Sequence, residues 1–169
     1  MDALEAIFNR RSTRSYTDRP LTGDMLDTLL KAAMYAPSAV NKQPWHFIVF
    51  RDHETIRKII AIHPNAAMLG NSQAAVLVCW DEHRQHDTGY GPIDCAAATQ
   101  NMLLAAHSMG IGSVWVGIYP RTARMEVLAP LFNLPPHIKP FSVVSLGFPA
   151  EKRDRPERFD PGKIHYEKW

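Results

Sequence analysis

The chain has 169 residues, enough for one sizeable core and too few for two ordinary domains. Its 19 Lys and Arg stand against 17 Asp and Glu, a formal net charge of +2 that argues against a nucleic-acid partner. No run reaches the roughly 18 apolar residues of a membrane span, and residues 1–11 lack the apolar stretch and cleavage site of a signal peptide, so neither a membrane nor export is expected.

Asp2 caps a first helix with Leu4, Ile7 and Phe8 on one face, and the run from Arg10 to Arg14 ends it. Thr22 caps a second, in which Met25, Leu26, Leu29, Leu30 and Ala33 form a stripe that stops before Pro37. Residues 45–50 predict a strand, and Asp52 opens a short helix through Ile60. Residues 74–80 form a continuous apolar run of the kind buried on both faces of a sheet.

Residues 93–109 carry the longest helical pattern, apolar almost all the way round through Ala96, Ala97, Ala98, Met102, Leu103, Leu104, Ala105 and Ala106. A domain of this size does not enclose such a helix alone, so a homodimer is expected, each copy covering part of the other. Gly110 stops the helix, residues 113–119 make a strand, Thr122 opens a helix through Phe132, and residues 141–148 make the last strand. The fold class is mixed, α+β.

From Ala150 onward the chain is charged and without hydrophobic period, an extension of the single domain spanning 1–169. It still carries Ile164, Tyr166 and Trp169, which suit packing on a partner subunit. The only cysteines, Cys79 and Cys95, form no disulfide framework, and a reducing cytoplasm is expected.

Three segments carry chemistry. Arg10, Arg11, Ser12 and Arg14 place three guanidinium groups and a hydroxyl within five residues, donors suited to a phosphate. Residues 36–45 include Pro37, Ser38, Ala39, Asn41 and Gln43, whose amides can read a heterocycle's edge while prolines stiffen the loop. Gly110, Gly112 and Gly117 flank a strand and make room for a flat ligand against the backbone. They follow a helix instead of opening one, so they are not a dinucleotide fingerprint.

Taken with residues 145–151 and the basic tail, the order and spacing of these segments resemble the nitroreductase family of flavoproteins along essentially the whole chain. The resemblance implies a central, mostly antiparallel sheet flanked by helices, in a homodimer whose C-terminal arms are exchanged. It implies bound FMN at the subunit interface, NAD(P)H as donor, and ping-pong hydride transfer through flavin N5 to an electron-poor small molecule such as a nitroaromatic, quinone or enone. No catalytic triad is needed, because the flavin carries the chemistry.

By the same resemblance, Arg10, Ser12 and Arg14, with the Arg11 backbone, hold the phosphate, helped by Arg155 or Arg158. Pro37, Ser38, Ala39, Asn41 and Gln43 come from the other subunit to the isoalloxazine, Asn65 meets the pyrimidine edge, Gly117 approaches N5, and Trp115, like Tyr90 and Tyr119, offers a stacking surface. Longer members have an acidic residue before the glycine matching Gly117, where this chain has Val116, so a carboxylate role does not transfer. The short segment between Trp80 and Asp94 implies an open pocket.

Other functions share parts of these features. An FMN-binding or storage protein needs the same cofactor residues without turnover, and reductive dehalogenation or flavin fragmentation in the same family uses extra lid segments not seen here. His83 and His86 sit with Asp81, Glu82 and Asp87, but the pattern reads as a solvated loop, and no metal is expected.

Overall fold

The computed structural model describes residues 1–152 and 154–169, with Arg153 of the tail outside the described residues. Three helix starts are fixed by side-chain caps. The Asp2 carboxylate accepts from the Glu5 N–H at 2.8 Å to start α1 (Ala3–Asn9), and the Thr22 hydroxyl accepts from the Met25 N–H at 3.3 Å to start α2 (Gly23–Met34). After β1 (Trp45–Phe50), Asp52 accepts from the Thr55 N–H at 2.7 Å and starts α3 (His53–Ile62).

Among the described residues the remaining α-helices and strands are β2 (Ala74–Asp81), α4 (Tyr90–Ser108), β3 (Gly112–Gly117), α5 (Thr122–Leu131) and β4 (Ile138–Gly147). The strands form one antiparallel sheet in the order β1-β2-β4-β3. Strand alternation sorts β2 between two cores: Ala74, Val76, Val78 and Trp80 face α2 and α4, while Ala75, Leu77 and Cys79 face α3 and α5. This is the expected α+β architecture, an antiparallel sheet with helices on both faces. Among the described residues no helix is long and apolar enough to cross a membrane.

Several boundaries differ from the sequence reading for local reasons. Strand β4 begins at Ile138, ahead of Phe141, because Pro140 falls at a register irregularity opposite Cys79, where its missing N–H disturbs the ladder least. Helix α4 starts at Tyr90 from a left-handed Gly89 (φ 95°) with no side-chain cap, a start that the capping rules do not mark. Its all-round apolar pattern is not fully covered within one chain. Ile93 is 64% exposed, and Ala96, Ala97, Leu104 and Ala105 are half-buried. In α1 the residue turned into the core is Ala6, while Leu4, Ile7 and Phe8 are exposed.

The segment after α1 lies along the sheet. Ser12 bridges Ser113, the Thr13 N–H donates to the Ser113 carbonyl at 2.9 Å, and the Thr17 N–H donates to the Phe148 carbonyl at 2.8 Å. Two glycines allow this close approach. A Cβ on Gly112 would stand 2.7 Å from Thr13 Cγ2, and one on Gly147 would stand 2.8 Å from Tyr16 Cδ1. Gly112 therefore lets the basic run sit close against the sheet. Because the buried Tyr16 ring cannot swing aside, Gly147→Ala is expected to cost about 1 to 3 kcal/mol. Chemical denaturation checks this, and an unchanged midpoint would contradict it.

Candidate active site

Strand β3 is an edge strand, and its backbone alternates between β4 and the open side. Ile118 donates to the Phe141 carbonyl at 3.2 Å, so the even residues Val114, Val116 and Ile118 pair inward. The odd residues Ser113, Trp115 and Gly117 therefore point their N–H and C=O groups outward. Thr13 covers this edge at Ser113. Beyond it opens a cleft of about 590 Å³ lined by Arg14, His63, Asn65, Met68, Trp115, Gly117 and Arg124, among others. A Cβ added to Gly117 would meet no atom within 4 Å, so the backbone there is open to a ligand.

Thus four predicted residues, Arg14, Asn65, Trp115 and Gly117, come together at one place. Trp115 also packs edge-on against Phe141 with centroids 5.3 Å apart, which fixes its ring. Tyr90 instead meets His86, and Tyr119 meets Trp80 and Phe141, so neither lines this cleft.

Sequence reasoning missed His63 and Arg124. The His63 side chain is buried, its residue 4% exposed, and its Nδ1 accepts from the Asn65 N–H at 3.2 Å. With Nδ1 committed as an acceptor, the neutral ring carries its hydrogen on Nε2 and donates it to the Gly117 carbonyl at 3.0 Å. Arg124 Nη1 donates to the same carbonyl at 2.8 Å and stands 2.9 Å from that Nε2. One imidazole therefore ties the backbone of Asn65 to that of Gly117. The only hint in the sequence was the closeness of His63 to Asn65; nothing marked Arg124.

Burial pushes the His63 pKa down, the Gly117 carbonyl opposes that shift, and the Arg124 charge adds to it. His107 is also lowered, by burial and then by Arg10 and Arg11. A lowered folded-state pKa means that the unfolded chain takes up protons more readily. The stabilisation is therefore present above the unfolded value of about 6.5 and is lost as pH falls below it, through the folded pKa. The thermal midpoint is expected to drop between about pH 7 and pH 5, above the range where carboxylates titrate. A midpoint that holds or rises there would contradict the account.

The basic run divides by role. Arg11 donates to the carbonyls of Phe8, Arg10 and Asp154 at 2.9, 2.6 and 3.0 Å, so its guanidinium closes the end of α1 and pins the tail. Arg10 has its pKa lowered by burial, then by repulsion from Arg158 and Arg11, which stand close by. Arg155 lies beside Arg11 along a cavity that Arg158 also lines, its guanidinium 4.7 Å from the Phe8 ring centroid.

Pro37, Ser38, Ala39, Asn41 and Gln43 do not line the β3 cleft of their own chain. Their loop is held tightly: Ala39 N–H donates to the buried Asp94 carboxylate at 3.0 Å, Gln43 N–H to the Ser38 hydroxyl at 3.0 Å, and the Gln43 amide to Asn41 Oδ1 at 3.1 Å. Val40, Asn41 and Gln43 all have φ near +50° (49°, 55° and 49°), costly for β-branched Val40 and maintained only because these bonds over-determine the loop.

A model described as "Nitroreductase family" matches residues 7–79 and 62–148. A protein of Methanothermobacter thermautotrophicus, "Putative NADH dehydrogenase/NAD(P)H nitroreductase", is 48% identical over 169 residues, spanning 100% of this chain and 88% of its own length. The crystal structure of a protein of the same name from Parabacteroides distasonis superposes with a TM-score of 0.95 at 38% identity, over 99% of this chain and 98% of that one. A Desulfovibrio desulfuricans structure described as "a putative nitroreductase in complex with fmn" gives a TM-score of 0.86 at 28% identity, over 100% and 98% of the two chains. Sequence and fold agree over the whole length, and the chain belongs to the nitroreductase family.

Proposed function

We propose that the protein is an FMN-dependent NAD(P)H oxidoreductase that reduces electron-poor small molecules. The observation that carries this reading is the outward-facing β3 edge at Gly117, open to a cleft that also holds Arg14 and Asn65. Backbone donors, an amide and a guanidinium suit a flat heterocycle rich in acceptors. The complex of the Desulfovibrio desulfuricans relative with FMN supports that choice of ligand.

FMN, when bound, supplies the redox chemistry, taking hydride from the nicotinamide at N5 and passing it to the acceptor. The chain's residues bind and orient it. Arg10, Ser12 and Arg14, with the Arg11 backbone, hold the phosphate, helped by Arg155 or Arg158 of the tail, which share a cavity with Arg11. Asn65 faces the pyrimidine edge, and the Gly117 N–H faces N5. His63 and Arg124 fix the peptide at Gly117 from its carbonyl side, so its outward N–H is presented at a set angle.

The second half of the site comes from a second copy. The loop with Pro37, Ser38, Ala39, Asn41 and Gln43 is strained yet lines no part of its own cleft, and Ile7, Phe8, Ile93, Phe159, Tyr166 and Trp169 are large exposed apolar residues. A homodimer with exchanged C-terminal arms covers those surfaces and brings the loop to the partner's isoalloxazine. The two cysteines are free and buried, with burial pushing the Cys79 thiol up to about 12, which suits a reducing cytoplasm and leaves them inert.

Donor and acceptor share one face, so steady-state rates with NADPH and a quinone are expected to give parallel double-reciprocal lines. Intersecting lines would contradict alternating occupancy. A bound flavin that dithionite reduces and NAD(P)H does not would assign storage instead.

A further inference from the structure

Away from the cleft, the end of the sheet gathers a second set of polar side chains. Asp81, His83 and His137 each present a ligand atom, and these atoms all lie within 4.8 Å of one another. We propose that they form a binding site for a borderline divalent metal ion such as Zn²⁺, one that fastens the β2–α4 loop to the start of β4. Two imidazoles and a carboxylate are the donor set such ions prefer, and a water completes a tetrahedron.

The backbone under the site is already built. Asp81 closes β2 opposite Ile138, its N–H donates to the Pro44 carbonyl at 2.8 Å, and the Glu82 N–H donates to the His137 carbonyl at 2.9 Å. Asp81 is buried, and its Oδ1 accepts from the His83 N–H at 2.8 Å, which orients the carboxylate. His46 of β1 lies 4.0 Å from Asp81 Oδ2, a further imidazole at the rim.

The His83 and His137 rings stack with centroids 4.5 Å apart and planes 6° from parallel. Parallel rings cannot both aim a lone pair at one ion, so binding turns His83 out of the stack. His83 is exposed in a turn, and a side-chain rotation suffices. The partner of His83 is thus His137, far along the chain, and not His86, which packs on Tyr90. This ion is structural and leaves flavin chemistry metal-independent.

The test titrates Zn²⁺ into chelator-washed, FMN-loaded protein against a chromophoric competitor and follows the thermal midpoint. One Zn²⁺ per chain with a raised midpoint is expected. His83→Ala and His137→Ala, both at accessible positions, should each weaken binding by more than about tenfold, while His86→Ala leaves it unchanged. Absence of stoichiometric binding, or binding that survives His137→Ala, would overturn the site. Flavin content, read separately from the visible spectrum, keeps this result apart from the flavin assignment.

Discussion

Replacing Arg10 and Arg14 together by alanine yields a protein that folds but is purified without flavin. Each guanidinium contributes charge-assisted hydrogen bonds to the ligand worth roughly 1.5 to 3 kcal/mol. The pair therefore accounts for about 3 to 6 kcal/mol, or roughly 10²- to 10⁴-fold in FMN affinity. The fold is spared because Arg14 is exposed and Arg10 sits beside Arg11 and Arg158, where removing one cation relieves repulsion. Arg11→Ala behaves differently: its guanidinium holds three carbonyls of α1 and the tail, so it loosens the chain before it affects the ligand. Equilibrium dialysis against FMN with a parallel unfolding curve separates the two. Full flavin occupancy in the double variant would dismiss the phosphate assignment.

The second large effect is expected at Gly117. A Cβ there would meet no atom of its own chain within 4 Å, so Gly117→Val should leave unfolding stability within about 0.5 kcal/mol of the original. It would nevertheless place a branched side chain where the flavin is to lie, costing about 1 to 3 kcal/mol of binding, roughly tenfold to a hundredfold. The contrast with Gly147→Ala is diagnostic. One glycine is required by the chain's own packing against Tyr16, and the other only by the ligand. Retained FMN affinity in Gly117→Val would move the ligand away from the β3 edge.

The fold was legible wherever local periodicity and burial agree. Strand β1 begins and ends at the residues read from its sequence, and the apolar run 74–80 of β2 is buried on both faces as its composition requires. Legibility failed where a partner element decides the outcome. Leu4, Ile7 and Phe8 of α1 share one face, yet a single chain turns Ala6 inward and leaves them outside. The last strand, read from residue 141, starts earlier because the opposing strand accommodates Pro140 with an irregularity at Cys79.

The site shows the same division. Arg14, Asn65, Trp115 and Gly117 were recognisable from motif order and do converge. His63 and Arg124 were not, because a solitary histidine in a loop and an arginine 61 positions later carry no spacing signal. Only the folded edge of β3 makes them neighbours, through one carbonyl oxygen. Asp94 was similarly silent: nothing in the sequence marks that it holds the strained loop at Ala39. His137 joins His83 only because the register sets Asp81 beside Ile138.

The most direct test of the central claim is the visible absorption spectrum of the purified protein, recorded before and after anaerobic addition of NADH and, separately, NADPH. The account predicts a yellow protein whose flavin bands bleach on addition of at least one nicotinamide. A protein that stays colourless after FMN is supplied would contradict it.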